Sequence, residues 1–125
     1  MTNNQCVIFT ISFNDPDLDS EDLEGQAQNL LNQMRDLDEV ETVDRVLDPN
    51  PPAGNKAVGA ILVGLLTAQV NKENAQKLLS FLGDRLGNKP IELEVEDNGK
   101  KLKVKASSQA ELTAAIEAAK EFLAA

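Results

Sequence analysis

Apolar and polar residues alternate from Cys6 to Phe13. Val7, Phe9, Ile11 and Phe13 fall on one side and Thr10 and Ser12 on the other, which predicts a strand with one face in a core. The period then changes. After the turn signal Asp15-Pro16, residues Leu23, Ala27, Leu30, Leu31 and Met34 recur at helical spacing to about Leu37. Asp19 or Ser20 can cap that helix, and Glu21, Asp22 and Glu24 suit the positive end of its dipole. The stretch VETVDRVL, Val40 to Leu47, is short and rich in β-branched residues and predicts a second strand. Strand, helix and strand joined by such short links predict a right-handed βαβ unit with parallel strands.

Residues 48–55 break the pattern, because Pro49, Pro51 and Pro52 remove backbone donors and fix φ. They predict a stiff connector inside a single domain, residues 1–125. Ala57 to Ala68 is then almost uniformly apolar, and Ala75, Leu78, Leu79, Leu82 and Leu86 follow at helical spacing up to the stop signal Gly87 and Pro90. The expectation is helix from Asn55 to Leu86, either one helix kinked near Val70 to Asn74 or two, with Asn71 capping the second. Twelve residues in a helix rise about 18 Å against a hydrocarbon layer of about 30 Å, so the run is too short to span a membrane. It also lacks the basic face of an interfacial helix. A helix apolar all round needs cover on every side, from its own fold or in part from a second copy or another protein.

The segment IELEVEDNGKKLKVKA gives the most determined local expectation. Asn98-Gly99 is a two-residue hairpin turn of type I′. Counting outward, Asp97 opposes Lys100, Glu96 Lys101, Val95 Leu102, Glu94 Lys103, Leu93 Val104, Glu92 Lys105 and Ile91 Ala106. Exposed pairs are then oppositely charged and buried pairs apolar. Ser108 and Glu111 form a capping box before a helix carrying Leu112, Ala115, Ile116, Ala119, Phe122 and Leu123 on one side. The predicted fold is therefore α+β and two-layered, in the order β-α-β-α-β-β-α, with a small mixed four-stranded sheet packed against helices. That order departs from the βαββαβ of a ferredoxin-like domain, which has a direct hairpin where a helix is expected here.

Charge and chemistry narrow the function. Twenty-one acidic and twelve basic residues give a net charge of −9, and the aromatic residues are four phenylalanines, so nucleic acid is an unfavourable partner. The chain has one cysteine, Cys6, and no histidine. This leaves no intrachain disulfide, no zinc set and no activated nucleophile, and it points to a reducing, cytoplasmic setting. The first apolar stretch has no basic region before it and reads as a strand rather than a signal peptide. Asp15, Asp17, Asp19 and Asp22 lack the glycine and glutamate positions of a calcium loop and read as helix-start acidity, with a weak cation site as the alternative. Gly54, Gly59 and Gly64 match no phosphate-loop spacing and read as packing positions. Lys100, Lys101, Lys103 and Lys105 read as the solvated side of the hairpin. No catalytic, metal-binding or cofactor-binding residue emerges.

Several stretches together resemble the effector-associated constant component family, small bacterial domains encoded beside caspase-like or trypsin-like peptidases in NTPase-centred conflict systems. They are Asp15-Pro16-x-Leu18-Asp19-x-Glu21-x-Leu23, Val43-x-Arg45-Val46, PPAGNKAVGAILVGLL, the Ile91 to Lys100 hairpin and Ser108-x-x-Glu111-Leu112. The resemblance implies a non-enzymatic signalling or adaptor module coupling a sensor or NTPase component to a peptidase-type effector, with no catalytic residue to carry over. Pro52, Gly54, Lys56, Val58, Gly59, Leu62, Leu65 and Leu66 are the candidate interaction residues. The partner expected is a protein, a second copy of the chain included, with no membrane span. Two other classes stand beside this one. One is a small-molecule-binding regulatory domain with Gly54, Gly59 and Gly64 lining a pocket, and the other is a small enzyme using the carboxylates of residues 15–22.

Overall fold

A computed structural model describes residues 6–47, 61–87 and 89–124. Alternation builds the first strand as the sequence predicts: Val7, Phe9, Ile11 and Phe13 are all at most 2% exposed in β1 (Cys6–Phe13). The Asp19 carboxylate then accepts from the Asp22 N–H at 2.9 Å and starts α1 (Ser20–Arg35), which buries Ala27, Leu30, Leu31 and Met34. After β2 (Val40–Leu47), the chain continues in β3 (Ile61–Asn71), α2 (Lys72–Arg85), β4 (Ile91–Asp97), β5 (Lys100–Ala106) and α3 (Gln109–Ala124).

The expected helix over residues 55–86 is corrected. Its portion from Ile61 to Asn71 is a strand and only Lys72 to Arg85 is helical, while residues 55–60 lie outside the described residues. The physical reason is that an unbroken apolar run has no period of its own, so tertiary surroundings decide its conformation. Here β3 lies between β1 and β2, and hydrogen-bonds to both. Within it Leu66, Ala68 and Val70 are buried and Leu65 and Thr67 half-buried, which is the alternation of a one-sided sheet. Asn71 caps α2 by accepting from the Asn74 N–H at 3.1 Å.

Three further expectations change with it. The sheet has five strands rather than four, and every pairing is antiparallel rather than mixed, in the order β2-β3-β1-β4-β5. Since β1 and β2 each run opposite to β3, they are parallel to each other as predicted, but β3 separates them. The first six elements follow β-α-β-β-α-β, the ferredoxin-like arrangement that the sequence reading set aside, and β5 with α3 extends it. The class is α+β, with three helices and one antiparallel sheet among the described residues.

The hairpin register of β4 and β5 is the predicted one at all seven positions. Asn98 (φ 59°) and Gly99 (φ 82°) occupy the two left-handed positions that a type I′ turn requires. One side-chain expectation differs. Asp97 opposes Lys100 in register, yet its carboxylate lies on the buried side and pairs with Lys72 Nζ of α2 at 3.0 Å. The capping box also shifts: Ser108 Oγ accepts from the Glu111 N–H, while Glu111 accepts from the N–H and hydroxyl of Ser107, both at 2.8 Å. Helix and inward strand residues share one core that includes Phe9, Ile11, Leu31, Leu66, Leu79, Leu93 and Leu112. Among the described residues, the outward side of the sheet carries no helix.

Candidate functional site

At the inward side of β2, alternation places Arg45 opposite the buried Leu66. A charge there needs partners, and α1 and β3 supply them. Arg45 Nε donates to the Leu65 carbonyl at 2.9 Å, and Nη2 donates to Glu24 Oε1 at 2.7 Å. Nη1 closes the fork on Glu24 Oε2, and the Leu62 carbonyl lies 3.4 Å from Nη2. Glu24 also accepts from the Gly64 N–H at 3.2 Å. The bidentate geometry is the strong form of this ion pair. Hydrogen bonds from Arg45 hold the Glu24 carboxyl below its ordinary value of 4.5; partial burial opposes them and the Gly64 N–H assists.

The ion pair fixes a bend. The β2–β3 register shifts between Arg45 and Leu47, and Gly64 sits there at φ 77°. A Cβ on Gly64 would stand 2.9 Å from the Phe13 carbonyl oxygen, so the backbone approach excludes any larger residue. Past the bend, Leu47 (61% exposed) and Val63 (45%) are the exposed large hydrophobics among the described residues. Both lie toward the same end of the β2–β3 pair, Leu47 at the end of β2 and Val63 near the start of β3.

The uncovered sheet face has a regular composition. One row across all five strands reads Asp44, Thr67, Thr10, Glu94, Lys103; the next reads Thr42, Gln69, Ile8, Glu96, Lys101. A third reads Leu65, Ser12, Glu92, Lys105 over β3 to β5. Uncharged residues occupy the middle, a glutamate column follows on β4 and a lysine column on the β5 edge. Thr10, Ser12, Leu65, Glu92, Glu94 and Lys103 line a depression of about 110 Å³, well below the roughly 300 Å³ at which ligand pockets begin.

Of the predicted interaction residues, Pro52, Gly54, Lys56, Val58 and Gly59 lie outside the described residues. The other three separate. Leu62 and Leu65 are half-buried, whereas Leu66 is fully buried in the core and is corrected from interaction residue to packing residue. Gly64 serves the bend, and Gly54 and Gly59, the other two glycines of the regulatory-domain reading, lie outside the described residues. Asp15 and Asp19 turn their carboxylates onto the N–H groups of Asp17 and Asp22, in line with helix-start acidity. Sequence reasoning missed the Arg45–Glu24 pair and the exposure of Leu47 and Val63. The signal for the first was present, since in VETVDRVL an arginine shares the parity of Val43 and so faces inward.

Compared with protein-family models, with curated proteins and with solved structures, the chain gives no match. Among the described residues no helix is long and apolar enough to cross a membrane.

Proposed function

We propose that this chain is a non-enzymatic adaptor module of a bacterial conflict system, coupling a sensor or NTPase component to a peptidase-type effector. The observation that carries this reading is the exposed pair Leu47 and Val63, held at a fixed bend by Arg45, Glu24 and Gly64. Exposed apolar side chains on a rigid support suit a protein partner, because little order is lost when they are covered. They also flank residues 48–60, whose PPAGNK sequence carries the resemblance to effector-associated components.

The test is titration calorimetry of the purified protein against the NTPase and the caspase-like or trypsin-like peptidase of its own system. One of the two should bind, and the double variant Leu47→Asp, Val63→Asp should weaken that binding by about tenfold or more with its melting temperature unchanged. Binding by neither component, or binding indifferent to the double variant, overturns the reading.

A further inference from the structure

The uncovered sheet face is self-complementary, and we propose that it is where a second copy of this chain docks, the two faces stacking about a two-fold axis parallel to β1. An isologous stack of two sheets has two simple orientations. With the axis across the strands, each column meets its own copy, setting lysines over lysines and glutamates over glutamates. With the axis along β1, the middle strand of five, the columns exchange: β5 faces β2, β4 faces β3, and β1 faces itself.

The second orientation matches at several positions. In the row Asp44, Thr67, Thr10, Glu94, Lys103, the ends meet as Asp44 against Lys103 of the other copy, and Thr67 meets Glu94 as a hydroxyl donor to a carboxylate. Thr10 meets Thr10 on the axis. In the next row Gln69 meets Glu96, an amide donor against a carboxylate, and Ile8 meets Ile8. The third row sets Leu65 against Glu92 and adds no polar match. The axis itself is uncharged and the opposite-charge match, Asp44 with Lys103, lies at the edge, where Lys101 meets Thr42 in the next row.

The area is sufficient for association. Five strands about 4.8 Å apart and some seven residues long present roughly 550 Å² a side, or about 1,100 Å² for the pair, at the low end of specific interfaces. Faces about 10 Å apart leave room for glutamate and lysine side chains to reach across. The net charge of −9 on each copy opposes association, but at physiological salt it is screened beyond about 8 Å while contact pairs remain. The result is a reversible dimer. None of its three rows includes Leu47 or Val63, and the variants that test it leave both side chains in place, so it is tested separately from partner binding.

Sedimentation equilibrium of the whole chain over a concentration series at physiological salt tests the proposal. Wild type should show a reversible dimer. Asp44→Lys and Lys103→Asp should each raise its dissociation constant by roughly tenfold or more, because the pair occurs twice. The double swap should return it to within about threefold of wild type. If Lys103→Asp disturbs the hairpin by facing Glu94 in its own chain, Thr10→Lys sets like charges on the axis and should abolish the dimer with circular dichroism unchanged. A wild type that is monomeric throughout, a dimer indifferent to the single changes or to Thr10→Lys, or a double swap no tighter than the singles, overturns it.

Discussion

Gly64 and Arg45 show how much a single position can hold. Gly64→Ala forces a Cβ against the Phe13 carbonyl at a φ of 77°. The expected loss is about 2–4 kcal/mol in urea unfolding, against near-neutral effects for exposed substitutions. Arg45→Met removes the partner of Glu24 and the donors to the Leu62 and Leu65 carbonyls. A third of the Glu24 side chain is exposed, so solvent screens the pair, and a cost of about 1–2 kcal/mol is expected. The pair also sets a pH dependence. Because the folded-state value of Glu24 lies below 4.5, its contribution is present in full above that pH and is lost as the pH falls through the lowered value. Unfolding measured from pH 7 downward should therefore show a smaller acid loss in Glu24→Gln than in wild type.

At the scale of elements, β3 and the β4–β5 hairpin make opposite cases. In the hairpin, turn residues, alternation and cross-strand charge all specify one register, so it was legible to the residue. In β3 the outward positions near its start are apolar too, Leu65 among them, and no polar alternation distinguishes a central strand from a helix. Only the strands on either side impose its conformation, and they are distant in sequence. The same blindness fell on the candidate site: Leu62, Leu65 and Leu66 looked equivalent in a helix, whereas a strand sends Leu66 inward. Leu66→Ala should accordingly cost about 2–5 kcal/mol and Thr67→Ala within about 0.5 kcal/mol by denaturant unfolding. Helical geometry would have made that contrast disappear.

For the whole molecule, the extension by β5 and α3 belongs to the core. Ala106, Leu112, Ile116, Ala119 and Leu123 are buried, and α3 packs on both α2 and β5. A chain ending at Asn98 keeps the six ferredoxin-like elements but strips α2 of its neighbour and bares the β4 edge. It should lose cooperative thermal unfolding in calorimetry and bind a hydrophobic dye, whereas an independent six-element domain would melt sharply. The strand order has a further consequence, in time rather than space. The strand synthesised first stands at the centre of the sheet, where Phe9 pairs with Ala68 on one side and Val95 on the other. On the ribosome β1 therefore waits, with its phenylalanines bared, until β3 and then β4 have been made. The barrier to folding lies in closing those long loops, and the nascent chain depends on whatever shields β1 until then.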